Sequence, residues 1–332
     1  MQSLKNNYVM IGYTDYYEMA LESVSGIACV NNNPIKAYRG FAKLVCKISF
    51  SSKLNRYVKI PFKRFFIKGI TQCSFSNNKN ICFFLLGSSS LSYVPGLVRY
   101  IRKNYDSAKI VLHCTDKVSF YEQRFGKKRF WNLAKECDLV ASYNEIDAQQ
   151  YGLYVMPTVI SRYDVEPKET QKSDIVFVGQ ERGRLETLHN IYQKATKYGL
   201  VCDFTIIGVE KGKRLCGTSI NYDKRISYKE VLEKIASTKC ILNIPQEGAK
   251  GLSLRDCEAV ANRKYLLTNN ESVLENRLFG EGQVIPVDID GNADYSKILN
   301  EYDGNEVDLA DYSWHSRFMW IEQIFYGGNL KQ

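Results

Sequence analysis

At 332 residues, 45% of them hydrophobic, the chain is long enough for two domains that each bury a core, which argues against disorder. No stretch approaches the roughly 18 uninterrupted apolar residues that span a bilayer, and the polar start at residues 1–7 leads into no secretory core, so a cytoplasmic protein is expected. The ten cysteines stand singly between Cys29 and Cys257 without a CxxC pair, and read as reduced, mostly buried side chains rather than a disulfide framework.

The net charge of +9 is unevenly placed: residues 1–160 carry 22 Lys and Arg against 10 Asp and Glu, and residues 161–332 carry 23 against 26. From Ser23 to Tyr105 there is no acidic residue, and cations such as Lys36, Arg39, Lys43, Lys47, Lys59, Lys63, Arg64 and Lys68 are interleaved with Tyr38, Phe41, Phe50, Tyr57, Phe62, Phe65 and Phe66. Such a field attracts polyanions, whether an anionic membrane, an anionic lipid-pyrophosphate substrate or nucleic acid, unless it is simply a solvated face. Phe, Tyr and Lys together suit a headgroup region. No nucleic-acid-binding signature accompanies them, so the preferred partner is the membrane surface, through Lys59, Lys63 and Arg64, with no nucleic acid.

In chain order, apolar runs with strand character fall at 8–12, 81–86, 109–114, 138–143 and 153–156, and helical spacing at 95–104 and 130–136. Across 35–69 the spacing is helical but Pro61 interrupts it, which predicts two short helices. The polar, proline-containing segment 163–173 divides the basic half from the near-neutral one, so a linker is expected there between domains 1–162 and 174–310. Beyond it come strand 174–178, helix 184–198, strand 203–208, helix 228–237, strand 240–244, helix 254–261 and strands 264–268 and 283–286. Trp314, Phe318, Trp320, Ile321, Ile324 and Phe325 then give an amphipathic helix within 311–332. Strands alternating with helices predict an α/β protein with parallel sheets, whose ligands bind beyond the carboxyl ends of the strands.

After the strand at 240–244 the chain reads Pro-Gln-Glu-Gly-Ala-Lys-Gly-Leu-Ser-Leu-Arg-Asp-Cys-Glu from Pro245 to Glu258. Gly248 and Gly251 let backbone approach a ligand closely. Ser253 with Asp256 three residues on matches a capping box, so a helix starts at Leu254. Its N-terminus offers free N–H groups and a positive dipole to a diphosphate. Arg255 and Glu258 share one face, with Glu258 just over a turn from the phosphates, in reach of a ribose. An ordinary capped helix with a surface ion pair fits the same spacing.

The block Asn-Ile-Pro-Gln-Glu-Gly-Ala-Lys-Gly-Leu-Ser-Leu-Arg-Asp-Cys-Glu-Ala-Val from Asn243, followed by Lys-Tyr-Leu-Leu-Thr-Asn-Asn from Lys264, resembles the donor-site block of bacterial GT-B glycosyltransferases of surface-polysaccharide assembly (capsule, O-antigen, lipopolysaccharide). Ile-Val-Phe-Val-Gly-Gln-Glu-Arg-Gly-Arg-Leu from Ile175 is similar to that family's first nucleotide-domain strand, and the segment 138–157 to the last strand and loop before the crossover. The resemblance covers roughly residues 80–325. It implies a GT-B fold, two Rossmann-like domains with parallel sheets facing an interdomain cleft, with the C-terminal helix crossing back to the first domain. It also implies a nucleotide-diphosphate sugar as co-substrate, a glycan or lipid-linked acceptor, no cofactor, and a peripheral place on the inner membrane face. By the same resemblance Glu258 is the ribose-binding glutamate, Gly251, Leu252 and Ser253 are backbone donors to the diphosphate, and Arg184, or else Arg182, is the phosphate cation. Arg255 joins them or orients Glu258, and Gln246 and Glu247 fall at the donor sugar. Many retaining members carry two glutamates eight residues apart, but Lys250 stands eight before Glu258.

GT-B enzymes stabilise the leaving diphosphate with cations and a helix N-terminus, so no metal is expected. The first βα loop holds Asp15, the candidate general base, although with Glu18 it also fits a helix cap. His113, with Asp116 near it at the end of strand 109–114, is the second catalytic candidate; His189 and His315 have lesser claims. Tyr228 either stacks near the nucleotide base or packs. A nucleotide-sugar epimerase of the same build and a non-catalytic polyanion-binding protein are the alternatives. A dehydrogenase is disfavoured because no GxGxxG follows a strand.

Overall fold

The computed structural model describes residues 3–12, 28–31, 38–49, 51, 54, 57–58, 63–71, 75, 79–87, 96–160, 165–167, 172–274, 276–304 and 307–327. Asp15, Glu18 and Lys59 lie outside them, and of Lys63 and Arg64 only the backbone is described. The chain divides into two compact units, Met1–Pro157 with Ser313–Gln332, and Thr158–Tyr312.

The first unit is built on a parallel sheet in the order β2-β1-β3-β4-β5-β6, from β1 (Asn6–Ile11), β2 (Ala28–Asn31), β3 (Asn80–Leu86), β4 (Lys109–Cys114), β5 (Leu139–Ser142) and β6 (Tyr154–Val155). β1 and β3 are buried on both faces, which is why they read as continuous apolar runs. Side chains alternate across the pleat. Val9, Ile11, Phe83 and Leu85 face a core with α1 (Gly40–Ser49), α2 (Lys63–Thr71), α3 (Leu97–Asn104), α4 (Val118–Phe125) and α5 (Lys127–Lys135). α6 (Glu145–Tyr151) follows β5. The intervening residues Tyr8 and Phe84 meet the last helix of the chain, Trp314–Tyr326: Tyr8 stacks on Phe318 at 3.9 Å, and Phe84 stands edge-on to Trp314 at 5.7 Å. Glu322 of that helix accepts from the amides of Lys5 and Asn6, both at 2.8 Å, and so fixes the start of β1.

The second unit carries a parallel sheet in the order β11-β10-β9-β7-β8, from β7 (Ser173–Gln180), β8 (Cys202–Ile207), β9 (Thr238–Asn243), β10 (Tyr265–Thr268) and β11 (Val284–Pro286). Its helices are α7 (Leu185–Lys197), α8 (Tyr228–Ala236), α9 (Leu254–Ala261) and the short α10 (Glu271–Leu274). Ile175 and Phe177 pack towards α7, whereas Val176 packs towards α8 and α9. From β7 the chain goes to β8 on one side and returns to β9 on the other. The loops after β7 and β9 therefore part at a topological switch point, the crevice where open parallel sheets bind ligands.

Strands β1 and β3 to β11 fall within two residues of their expected places at every end. β2, α4, α6 and α10 have no counterpart among the expected elements. β2 is four residues long, too short for periodicity to register. α4 and α6 each contribute at most eight residues with mixed polarity. No helix among the described residues is long and apolar enough to cross a membrane.

Candidate nucleotide-binding site

The site grows from the carboxyl ends of β7, β9 and β10. Register sets Asn243 beside Thr268 at the ends of β9 and β10, and Thr268 Oγ1 donates to the Asn243 carbonyl at 2.6 Å. The chain then turns at Gln246, whose carbonyl accepts from the Ala249 amide at 2.9 Å. Gly248 (φ 68°) and Gly251 (φ 110°) hold backbone conformations that side chains disfavour, and the chain enters α9 through its cap.

That cap is the box expected from Ser253 and Asp256, but it is buried and extended into a network. Asp256 has no solvent exposure. Its Oδ2 accepts from the Ser253 amide at 2.7 Å and from Asn270 Nδ2 at 3.4 Å, and its Oδ1 from Asn243 Nδ2 at 2.7 Å. Asn270 Nδ2 also reaches the Gly251 carbonyl at 3.1 Å, and the Gly251 amide reaches Ser272 Oγ at 3.3 Å. Burial pushes the Asp256 carboxyl up to about 6, against the pull of these hydrogen bonds.

This arrangement corrects the assignment of diphosphate donors. The amides of Gly251 and Ser253 are already engaged, by Ser272 Oγ and Asp256 Oδ2, whereas in Leu252 it is the carbonyl that is held, by Thr158 Oγ1 at 3.0 Å, and not the amide. The amides of Leu254 and Arg255, the first two of the helix, have no intrahelical acceptor by position. These N–H groups carry the positive end of the α9 dipole.

Glu258 is buried, one turn further along, with both oxygens approached by donors. Tyr228 Oη donates to Oε1 at 2.9 Å, and Arg255 Nη1 donates to Oε2. Arg255 Nη2 continues to the Val178 carbonyl of β7 at 3.3 Å. Arg255 thus orients Glu258, and Tyr228 packs against the core under α8 and α9 while its hydroxyl donates to the same carboxylate. An ionised carboxylate has about four acceptor sites, which leaves room for ribose hydroxyls.

Arg184 crosses the switch point. It donates to the Gln180 carbonyl from Nε (3.3 Å) and Nη2 (3.1 Å), and its Nη1 donates to the Ile244 carbonyl, so one guanidinium ties the ends of β7 and β9 together. The group lies over the Phe177 ring, 5.4 Å from its centroid. A Cβ at Gly179 would stand 3.0 Å from Phe177 Cζ and 3.2 Å from Nη2, so one of these side chains would have to shift to admit it. Arg182, in a left-handed conformation (φ 40°), bonds Gln180 Oε1 at 3.1 Å. Gln246 is half-buried and Glu247 exposed in the turn after β9.

The remaining candidates stand elsewhere. His113 is 3% exposed on β4, edge-on to Phe84 at 5.9 Å, with the Met156 backbone beside its ring. Burial pushes it down to about 4. The structure therefore places it as a neutral core residue rather than at an open catalytic position, because the last helix covers that face of the sheet. The Asp116 amide donates to Tyr121 Oη at 2.7 Å. His189 Nε2 is paired with Tyr222 Oη at 2.9 Å. Just after β11, Asp288-Ile289-Asp290 forms an Asp-x-Asp pair. Asp288 closes a turn, accepting from the Asn292 amide at 2.8 Å and Nδ2 at 2.7 Å.

Asn243, Asp256, Asn270 and Ser272 are the residues that sequence reasoning passed over. The signal was half present: Asp256 in the capping box and Thr-Asn-Asn at 268–270 were both visible, but not that they converge.

The chain matches no protein-family model and no curated protein. Among solved structures it is similar to an α-glucosyltransferase in complex with UDP and a 13-mer DNA (TM-score 0.54, 11% identity, 97% of this chain and 96% of that one). It is equally similar to sucrose-phosphate synthase from Thermosynechococcus elongatus (0.54, 10%, 97% and 98%). A Listeria monocytogenes protein assigned as a UDP-N-acetylglucosamine 2-epimerase follows (0.51, 8%, 99% of each chain). Two Rossmann-like units with parallel sheets, alike over nearly the whole length to these structures, define the GT-B architecture.

Proposed function

We propose that the chain is a glycosyltransferase that binds a nucleotide-diphosphate sugar in its second unit. The observation that carries this reading is the pairing of the first two amides of α9, which have no intrahelical acceptor, with a buried carboxylate one turn on, at the switch point of a GT-B nucleotide-side sheet. The diphosphate meets the Leu254 and Arg255 amides, and Glu258 accepts from the ribose. Arg184, whose guanidinium ties the ends of β7 and β9, is the proposed phosphate cation. Charge developing on the departing diphosphate is stabilised by fixed dipoles and cations, so transfer needs no cofactor and no metal.

The finer reading is a hexosyltransferase of bacterial surface-glycan assembly, acting on a lipid-linked or polysaccharide acceptor at the inner face of the cytoplasmic membrane. The basic, aromatic-rich first unit supports it, as does the sequence resemblance to enzymes of capsule and lipopolysaccharide synthesis. Asp15 is the proposed general base; His113, buried and neutral, supports the fold instead. A second reading, transfer to nucleic acid, draws on the same basic unit and on the DNA-bound α-glucosyltransferase neighbour. An epimerase draws on the third neighbour.

A panel of nucleoside diphosphates in a thermal-shift assay tests the site, since a ligand at about 100 times its Kd adds roughly 2.7 kcal/mol of stability. Labelled nucleotide sugars then separate the classes: a transferase releases or transfers the sugar, and an epimerase converts it without acceptor. No shift with any nucleoside diphosphate would overturn both.

A further inference from the structure

The first unit displays an apolar face that its own core does not use. On α1, Phe41 (80% exposed), Leu44 (53%) and Ile48 (40%) are spaced three and four apart and share one side. Cys46 and Ser49, on another side of the helix, are fully buried. Phe65 at the start of α2 is 66% exposed, while its neighbours Phe66 and Ile67 are buried. Tyr38, just ahead of α1, sets its ring 5.4 Å from that of Phe66 and 6.2 Å from that of Phe65, so the two helices begin side by side. Seven of the fifteen large hydrophobic side chains exposed among the described residues fall between positions 41 and 65; a scatter of single exposed residues would not concentrate so.

The charges around this face choose its occupant. Arg39, Lys43, Lys47 and Lys68 are exposed beside it, and no acidic residue stands between Ser23 and Tyr105. A second copy of the same face would meet it with like charge. Nucleic acid would use the cations and rings, but Leu44 and Ile48 offer a phosphate or a base nothing. An anionic bilayer uses both kinds of side chain, apolar groups below the headgroups and cations among the phosphates.

We infer that α1 and the start of α2 form an insertion surface for an anionic membrane, with Phe41, Leu44, Ile48 and Phe65 entering the headgroup–acyl boundary. This deepens the membrane-side reading of the function, yet stands or falls separately from nucleotide binding. It differs from attraction by the cations alone, because the apolar share of binding is not screened by salt.

The test uses the full chain with vesicles of phosphatidylcholine, with and without phosphatidylglycerol. Flotation with the anionic vesicles is expected, persisting in part at high salt. Phe41→Ser with Leu44→Ser is expected to weaken it about tenfold or more and to make the remainder salt-sensitive. Phe41→Trp, which keeps an aromatic ring, is expected to shift its emission to the blue on vesicle binding. The same variants are to keep the wild-type nucleotide thermal shift, which shows that they fold and separates this result from the fate of the donor site. Unshifted Trp emission with undiminished flotation of the double variant overturns insertion. So does a Trp response to oligonucleotide that vesicles do not give, or a dimer in light scattering that the double variant abolishes.

Discussion

At the residue scale, Glu258 is the group on which nucleotide recognition turns, and its surroundings decide which substitution is informative. It is 4% exposed and paired with Arg255. Truncation to Ala would strand a partly buried guanidinium, and removing one partner of a buried pair costs roughly 3–5 kcal/mol. Glu258→Gln keeps the size and one acceptor oxygen. It is expected to fold with a loss of about 1–3 kcal/mol and to lose the thermal shift given by nucleoside diphosphates; a Gln variant that still shifts like wild type removes Glu258 from the site. Tyr228→Phe tests the supporting contact. Loss of one hydrogen bond to the carboxylate is expected to cost about 1–2 kcal/mol and to weaken, without abolishing, the nucleotide shift, measured by titrating the same nucleotide against both proteins.

At the scale of elements, α9 shows how far local pattern reaches. Its bounds, its Ser253 cap and the Arg255–Glu258 pairing follow from spacing within one helix, and all were legible in the sequence. The burial of Asp256 was not, because an acid in a capping box ordinarily faces water. Here Asn243 and Asn270, 13 and 14 residues away, arrive from the ends of β9 and β10 and enclose it. The same holds for the amides: the family resemblance nominated Gly251, Leu252 and Ser253, and only the side chains of Ser272 and Asp256 show the first and last of them to be taken. The consequence can be measured. Asp256 has its carboxyl raised from 3.8 to about 6, so between those values the folded state binds the proton more tightly than the unfolded one. Its contribution to stability is therefore fully present below pH 4 and is lost as the pH rises to about 6, by about 3 kcal/mol. Asp256→Asn cannot follow this titration and also sets an amide NH2 against a donor, Asn243 or Ser253. Its stability relative to wild type, from denaturant melts across pH 4 to 7, is expected to be lowest at acid pH and to recover as the pH rises. A difference independent of pH would remove the buried carboxylate from this account.

On the scale of the whole molecule, the alternation of strands and helices made both sheets legible, whereas the contacts that close the first unit come from the far end of the chain. Glu322 reaches Asn6 across 316 residues, and Phe318 covers Tyr8. No pattern local to β4 could therefore announce that His113 lies in a core and not at an open strand end. That core position gives the first unit a response to pH opposite in sign to that of Asp256 in the second. Burial lowers His113 from 6.5 to about 4, so over that interval the unfolded chain binds the proton and the folded one does not. Its stabilisation is complete above pH 6.5 and is lost as the pH falls through about 4, a change of about 3 kcal/mol. Replacing His113 by Phe, which also belongs against Phe84 and has no proton to bind, is expected to give a protein whose advantage over wild type grows on acidification from pH 6.5 to 4. The growth should appear as retained hydrogen-exchange protection in β3 and β4 of the first unit, with protection in β9 and α9 of the second unchanged between the two proteins. Equal loss of β4 protection in both on acidification would mean that protonation of His113 is not what opens the unit, and would remove its burial from this account of pH dependence.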